Sequence, residues 1–275
     1  MESKVDWEQI FHQCKQNVTI HIQPLRKTLK GPQPDLGRGA GGDPMKLADL
    51  AAEKAIIEVL LQHSISFTLV SEESGIKEFG EEAKSCYVTI DPIDGTTNFV
   101  HGLPFYCTSV AISSKPKLSL VYAAMVVDLF QGTTYTAIEG KGAFCDYKKI
   151  STSNVGLLKE AVIGLDLNTY RIKEITATLS DLIRKTGHLR HFGANALELC
   201  YVAEGLTDAF VDIRGKLRTT DVAAGFLILK EAGGIVTDLD GNLVDVKLDP
   251  KQTLKFVASG NPQLHKTILC LIKSK

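Results

Sequence analysis

Carboxylates recur in this sequence where apolar runs give way to turns, most densely in Asp91-Pro92-Ile93-Asp94-Gly95-Thr96-Thr97-Asn98, directly after Cys86-Tyr87-Val88-Thr89-Ile90. The residue before a proline is pushed toward extended geometry, and proline suits the first turn of a helix, so the stretch reads as strand, sharp bend and short helix. The strand is expected to end at Asp91 and the turn to open at Asp94, a spacing that lets both carboxylates face one point. Gly95 removes the side chain that would keep a ligand from the backbone N–H groups behind it. Helix starts favour anions and carboxylate pairs favour cations, so a site holding both is in outline a phosphoryl-transfer site. Asp-Pro and Asp-Gly are also ordinary turn dipeptides, and this motif alone does not separate a turn from a site.

Two further acidic clusters bear on that choice. Ser66-Phe67-Thr68-Leu69-Val70 reads as a strand stopping at Ser71-Glu72-Glu73-Ser74-Gly75, and two neighbouring strands that each finish in carboxylates would aim them at a common edge. Asp221 opens a helix after Thr219-Thr220, where an acid is also a standard N-cap. Glu72, Asp91, Asp94 and Asp221 are hard oxygen ligands with no His or Cys among them, a donor set suited to Mg2+ or Mn2+. Acids crowded together without a cation repel one another, and bound metal resolves the conflict. Metal ions about 4 Å apart can activate a water on one side and neutralise a leaving oxygen on the other. Phosphate ester hydrolysis needs those two things and positioning. Asp49 fits equally as a first-turn acid complementing a helix dipole or as a member of the site. No GxxxxGK[ST] loop is present, which disfavours a P-loop nucleotide triphosphatase and leaves water as the simpler acceptor.

At 275 residues the chain is long enough for one large domain or two lobes sharing an interface. It is 44% apolar and 23% charged, with 31 basic against 32 acidic residues and a formal charge of −1. That balance suggests neither nucleic acid nor an anionic membrane as a standing partner. The six cysteines form no CxxC pair, so reduced, packed thiols are expected rather than zinc or redox chemistry. The first residues, with Glu2, Asp6 and Glu8, resemble no secretory signal, no run is long enough to span a bilayer, and the cytoplasm is the expected location.

The elements that must position these acids follow from periodicity. Ile10, Cys14, Val18, Ile22 and Leu25 recur at helical spacing between Val5 and Leu29, with Pro24 a kink or break; His12 and His21 lie in this helix as ordinary surface residues. Lys30 to Asp43 is too rich in Gly and Pro for a regular element and reads as a loop beside the site, with Arg38 able to meet an anion. A helix from about Met45 to His63 is expected to bury Leu47, Leu50, Ala51, Ala55, Ile57, Leu60 and Leu61. Strands are expected at 105–113, 118–127, 133–138 and 143–147, giving a first half built as an antiparallel sheet covered by helices. Beyond a polar stretch at Ser151–Lys159 the reading is strand 162–165, helix 172–185, helix 194–204, and strand 209–213 ending in Asp212. A basic turn, Arg214-Gly215-Lys216-Leu217-Arg218, comes next, followed by a helix to about Glu231, a strand at 255–259 and a last helix at 264–272. Lobes of residues 1–152 and 153–275 are expected.

Glu72-Glu73-Ser74, Asp91 to Phe99 and Asp221-Val222-Ala223-Ala224-Gly225, in that order, resemble the three signature motifs of the inositol monophosphatase family, part of the magnesium-dependent, lithium-sensitive phosphatase superfamily. The likeness covers nearly the whole chain. It implies an α+β fold, a layered α-β-α-β-α sandwich shared with fructose-1,6-bisphosphatase, commonly a homodimer. It implies two to three Mg2+, replaceable by Mn2+, with Glu72, Asp91 and the Ile93 carbonyl on the first ion, and Asp91, Asp94 and Asp221 on the second. Glu73 would lie beside them, a weaker third ion near Glu72, and the Gly-rich loop over that third ion. Thr96, paired with Asp49, would orient the attacking water, and the N–H groups of Gly95, Thr96 and Thr97 would receive phosphate. Gly193, Ala194, Asn195 and Asp212 would meet the sugar or polyol. The family's inositol enzymes from eukaryotes carry tryptophan where this chain has Thr220, and 212–218 is closer to archaeal members that accept both inositol 1-phosphate and fructose 1,6-bisphosphate. A second phosphate needs a cation, and Arg171, Arg190, Arg214, Lys216 and Arg218 are candidates. The alternatives are a 3′-phosphoadenosine-5′-phosphate phosphatase and a catalytically silent regulatory relative.

Overall fold

Trp7, Ile10, Phe11, Cys14, Val18 and Ile22 all bury on one stripe of a helix, α1 (Trp7–Thr28), which runs through Pro24 without ending there. This computed structural model describes residues 5–28, 36–43 and 46–273, with the side chains of 26–28 and 273 excepted. Residues 30–35 of the loop expected at Lys30–Asp43, the helix start at Met45 and the chain's first residues lie outside them. The order continues α2 (Leu47–Gln62), β1 (Phe67–Ser71), β2 (Gly75–Phe79), β3 (Tyr87–Asp94), α3 (Thr96–His101), β4 (Cys107–Ser113), β5 (Val121–Asp128), β6 (Thr134–Ile138), β7 (Gly142–Cys145) and β8 (Lys148–Lys149). It ends with β9 (Val162–Leu165), α4 (Ile172–Lys185), β10 (His188–Arg190), α5 (Asn195–Glu204), β11 (Ala209–Arg218), α6 (Thr219–Glu231), β12 (Ile235–Thr237), β13 (Thr253–Ser259) and α7 (Pro262–Lys273).

The first eight strands form one sheet in the order β2-β1-β3-β4-β5-β6-β7-β8, antiparallel except for the parallel pair β1–β3, and the other five form a second sheet, β10-β9-β11-β13-β12. Because successive strand residues face opposite sides, a strand covered on both faces reads as a continuous apolar run. Ala123, Met125 and Val127 of β5 face the α1–α2 layer, while Ala124 and Val126 face α5 and α6. Phe210 of β11 and Phe256 of β13 pack on that same central helix pair, whereas Val211 and Val257 turn to α4 and α7. The layering is therefore α1α2, sheet, α5α6, sheet, α4α7, which is the expected five-layered α+β sandwich.

Several local expectations change. Strand β3 does not stop at Asp91 but runs to Asp94, with Pro92 inside it rather than in the helix. Gly75–Phe79 forms a strand that the sequence reading did not place, because its middle residues are exposed and charged ones stand among them. The basic segment 214–218 is no separate turn. It is the end of β11, looped out against β13, where the six residues from Asp212 to Leu217 lie against the three from Phe256 to Leu254. On α2 the buried side is Ala48, Ala52, Ala55, Ile56, Val59 and Leu60, and Leu47 and Leu61 are exposed. That helix is apolar on nearly every side, so hydrophobicity did not determine which side turns inward.

His265 on α7 is buried between Ser259 Oγ and Thr237 Oγ1, each 2.9 Å from a ring nitrogen, and desolvation lowers its pKa to about 4 from an ordinary 6.5. Between those values the unfolded chain takes up a proton that the folded chain refuses, so stability must fall as pH falls, by up to about 1.4 kcal/mol per pH unit. Urea unfolding of the wild type and His265→Gln in chelator between pH 4.5 and 7.5 is expected to give a stability difference that shrinks toward low pH. A difference independent of pH would show that His265 is not the group responsible.

Candidate active site

The parallel pairing of β1 and β3 sets Ser71 opposite Ile90, so the residues that follow, Glu72 past the end of β1 and Asp91 still within β3, lie side by side, with Glu72 N–H 3.5 Å from the Ile90 carbonyl. In a regular strand Asp91 and Asp94, three residues apart, would point to opposite faces. They do not, because β3 carries one extra residue against β4: Asp91 pairs with Ser109 and Asp94 with Cys107. Such a bulge re-aims side chains, and here it turns both acids into one cleft. Thr108 Oγ1 donates to the Pro92 carbonyl at 2.6 Å and holds the bulge. Immediately after it, Gly95 takes φ +88°, and a Cβ there would stand 3.0 Å from Ala194 Cβ.

Asp221 enters from the first turn of α6, where its Oδ2 accepts the Arg218 N–H at 2.8 Å and its Oδ1 the Thr220 hydroxyl at 3.0 Å. Glu72, Asp91 and Asp221 each offer an oxygen within 4.8 Å of the others. Asp91 Oδ1 is buried without a hydrogen-bond partner, as is Glu73 Oε2. Asp94 stands beside this trio and is held by α5: Ala196 N–H donates to Oδ2 at 2.6 Å and Asn195 Nδ2 to Oδ1 at 3.4 Å. Arg218 ties Glu72, at 2.6 Å, to Asp43 of the segment 36–43. That segment lies on the same turn, with Ala40 N–H on the Glu73 carbonyl and Gly41 N–H on the Glu72 carbonyl.

Every acid in the group is held above its usual range. Burial pushes Asp49 up to about 7 and Glu73 up to about 8, with the charges of neighbouring acids adding to both. Glu72, Asp91, Asp94 and Asp221 shift the same way, first through desolvation. Without a cation, burial and mutual repulsion favour the protonated form of these carboxyls, and a divalent ion would stand in for those protons.

Of the residues singled out from the sequence, Glu72, Asp91, Ile93, Asp94, Asp221, Gly95, Thr96 and Thr97 line one cleft of about 710 Å³. Gly193, Asn195, Arg214, Lys216 and Arg218 line it too. Asp49 does not: it is buried, and its Oδ2 accepts the Lys46 N–H at 3.1 Å. The Thr96 hydroxyl donates to the Ile93 carbonyl at 2.9 Å, so neither of these hydrogen bonds joins Thr96 to Asp49. Ala194 is fully buried. Asp212 lies behind the cleft, fully buried, with both oxygens accepting from Arg214, because its strand position faces inward. Arg190 turns back to the Leu189 carbonyl, and Arg171 pairs with Glu174 on α4.

Asp166 and Asn168, which line the cleft just past β9, were missed. The available signal was the one used elsewhere, an apolar strand followed at once by an acid. Asp166 Oδ2 lies 2.6 Å from Arg214, whose guanidinium it shares with Asp212. Among the described residues no helix is long and apolar enough to cross a membrane, and no cysteine is in a disulfide.

A family model described as "Inositol monophosphatase family" matches residues 8–275. A fructose-1,6-bisphosphatase/inositol-1-monophosphatase of Methanothermobacter thermautotrophicus is 35% identical over 272 residues, covering 96% of this chain and 95% of its own. A bifunctional NADP phosphatase/NAD kinase of Methanococcus maripaludis is 36% identical over 248 residues, which are 84% of this chain but 43% of that protein. A crystal structure described as inositol monophosphatase–fructose 1,6 bisphosphatase superposes with a TM-score of 0.85 at 28% identity, covering 97% of this chain and 100% of that one.

Proposed function

Because the chain belongs to the inositol monophosphatase family, phosphoric monoester hydrolases, we propose that it hydrolyses inositol 1-phosphate and, at the 1-phosphate, fructose 1,6-bisphosphate, with Mg2+ as its cofactor. The observation that carries the reading is the convergence of Glu72, Asp91 and Asp221, with Asp91 Oδ1 unpartnered, beside the Gly95 bend. The donor set is all oxygen, which fits Mg2+ or Mn2+. Glu72, Asp91, Asp221, Asp94 and the Ile93 carbonyl would hold two to three ions. When bound they would supply Lewis-acid activation of water and neutralise the leaving oxygen.

The chain's own groups do the rest. The N–H groups of Gly95, Thr96 and Thr97, in a helix's first turn, have no intrahelical acceptor and receive the phosphate oxygens. Thr96 commits its proton to Ile93, so its hydroxyl offers the cleft only lone pairs and takes a hydrogen bond from the water it orients. Asp49, buried behind the cleft, is the acid the family resemblance pairs with Thr96 at this water. Asn195, whose buried Oδ1 is unpartnered, and Gly193 face the polyol side.

For a second phosphate the five cations separate. Arg214 is taken by Asp166 and Asp212, Arg218 by Glu72 and Asp43, and Arg171 and Arg190 lie off the cleft. Lys216 lines the cleft with its ammonium on the Asn168 carbonyl at 3.1 Å and no ion pair among the described residues. It is the residue we assign to the distal phosphate. A second reading, a nucleotide substrate such as NADP or 3′-phosphoadenosine-5′-phosphate, is favoured by Tyr170, a fully exposed ring 5.4 Å from the Lys216 ammonium. The reading extends to a cytoplasmic homodimer of two-lobed subunits, residues 1–152 and 153–275, inhibited by lithium.

Phosphate release from inositol 1-phosphate, fructose 1,6-bisphosphate and the two nucleotides, side by side with Mg2+ or chelator, tests this. Metal-dependent release from the first two is expected, with Lys216→Ala raising KM about tenfold for the bisphosphate alone. Preference for a nucleotide would replace the substrate assignment with the second reading. Release from none of the four would favour a silent relative.

A further inference from the structure

Glu53 lies one turn beyond Asp49 on α2, buried beside Ala52 and Ile56, and forms no ion pair among the described residues. A carboxyl group in such a place is costly unless its oxygens are used. Both are used by one turn. Ser71 Oγ donates to Oε2, Ser74 Oγ donates to Oε1 at 2.6 Å, and the Ser74 N–H reaches Oε2 at 3.4 Å. The Glu73 N–H in turn donates to Ser71 Oγ at 3.1 Å. The two serines that bracket Glu72 and Glu73 therefore end on a single side chain from a different element.

We propose that Glu53 is a positioning residue that sets Glu72 and Glu73 toward the carboxylate cluster. The inference rests on the reading of that cluster as a metal site. Glu72-Glu73-Ser74 is a three-residue hairpin loop between β1 and β2, closed by Gly75 at φ +74°. A loop of that length fixes where its backbone runs but not how the bracketing side chains are held. From one side the segment 36–43 binds the carbonyls of Glu72 and Glu73. From the other side Glu53 grips the serines. Helix α2 thus reaches this edge through Glu53, and groups behind metal ligands commonly set affinity through such contacts.

The test is Mg2+ binding by calorimetry on metal-free protein, with thermal midpoints recorded in chelator. Glu53→Gln and Ser74→Ala are each expected to weaken Mg2+ affinity roughly tenfold to a hundredfold. The double variant should be no weaker than the worse single one, since both changes break one contact. At saturating Mg2+ the KM for substrate should stay near the wild-type value, and most of kcat should return. Wild-type affinity in Ser74→Ala, or in a folded Glu53→Gln, would overturn the proposal whatever the thermal midpoints do, and additive losses in the double variant would overturn the shared contact. Glu72→Gln is the control: if it binds Mg2+ as the wild type does, or if the wild type binds none, the metal-site reading fails and this inference with it. Should Glu53→Gln not fold, Ser74→Ala, on a half-buried turn residue, gives the answer alone.

Discussion

Replacing Asp91 with asparagine is expected to cut metal-dependent phosphate release by about a thousandfold, roughly 4 kcal/mol of transition-state stabilisation, while making the metal-free protein more stable. The two effects have one cause. Asp91 is buried at the centre of the group, desolvation raises its pKa well above the carboxylate range, and Glu72, Asp94 and Asp221 add repulsion. An acid whose folded pKa exceeds its unfolded one destabilises the fold at any pH where the unfolded carboxyl is charged, and the cost is absent below the unfolded pKa. Asparagine keeps the shape and removes the charge, so at neutral pH the variant should gain on the order of 1–3 kcal/mol in chelator. It should also lose the rise in melting temperature that Mg2+ gives the wild type. Steady-state rates and melting curves with and without Mg2+ check both halves. Activity within tenfold of wild type would show that Asp91 holds no essential ion, and a lower melting point in chelator would show that its burial is compensated.

Gly95→Ala should damage catalysis less than Asp91→Asn does but, unlike it, should also damage the fold. A residue with a side chain pays about 1–2 kcal/mol for a left-handed conformation, and Gly95 is at φ +88°. The new methyl would also stand 3.0 Å from Ala194 Cβ, 3.1 Å from the Phe105 carbonyl oxygen and 3.2 Å from that of Gly193, two of them backbone atoms that cannot swing away. The first turn of α3 must then shift, and with it the N–H groups assigned to phosphate. A misplacement of about 1 Å can cost a hundredfold in rate, so kcat should fall by about that factor with Mg2+ affinity little changed. Gly102→Ala is the control, because Gly102 has φ +75° but open space around its Cβ position. It should pay the backbone cost and keep its activity. Equal activity losses in the two variants would mean that the close packing at Gly95 is not what matters.

The helices were legible where apolar and polar residues separate cleanly. Ile172–Lys185, with Ile175, Leu179 and Leu182 on one side, was placed to the residue, as was the buried strand Val162–Leu165. Legibility failed where hydrophobicity carries no contrast. On α2, Ala, Ile and Leu occur on every side, so Ala55 and Leu60 are buried as expected but Leu47 and Leu61 are not, and Gly75–Phe79 is an edge strand whose charged middle residues look like a loop. Asp212 was misplaced for a related reason. An acid at the end of an apolar run looks like a cleft residue, but β11 continues past it and a buried arginine claims it.

What the sequence determined by itself was chemical type and order. Acids at strand and helix ends, the Gly95 bend, and an oxygen-only donor set are the residue types suited to a hard cation and a phosphate, because residue identity decides ligand hardness and backbone freedom without reference to distant parts of the chain. What only the tertiary structure decided was which of those groups meet. The parallel pairing of β1 with β3 brings Glu72 beside Asp91, one extra residue in β3 turns Asp94 to the same side, and α5 and α6 deliver Asn195 and Asp221 from more than a hundred residues away. The same packing takes Arg214 out of play as a free cation by closing Asp166 and Asp212 around it. Register, bulge and ion pairing are properties of pairs of segments, and a pair distant along the chain leaves no periodic trace in either segment alone.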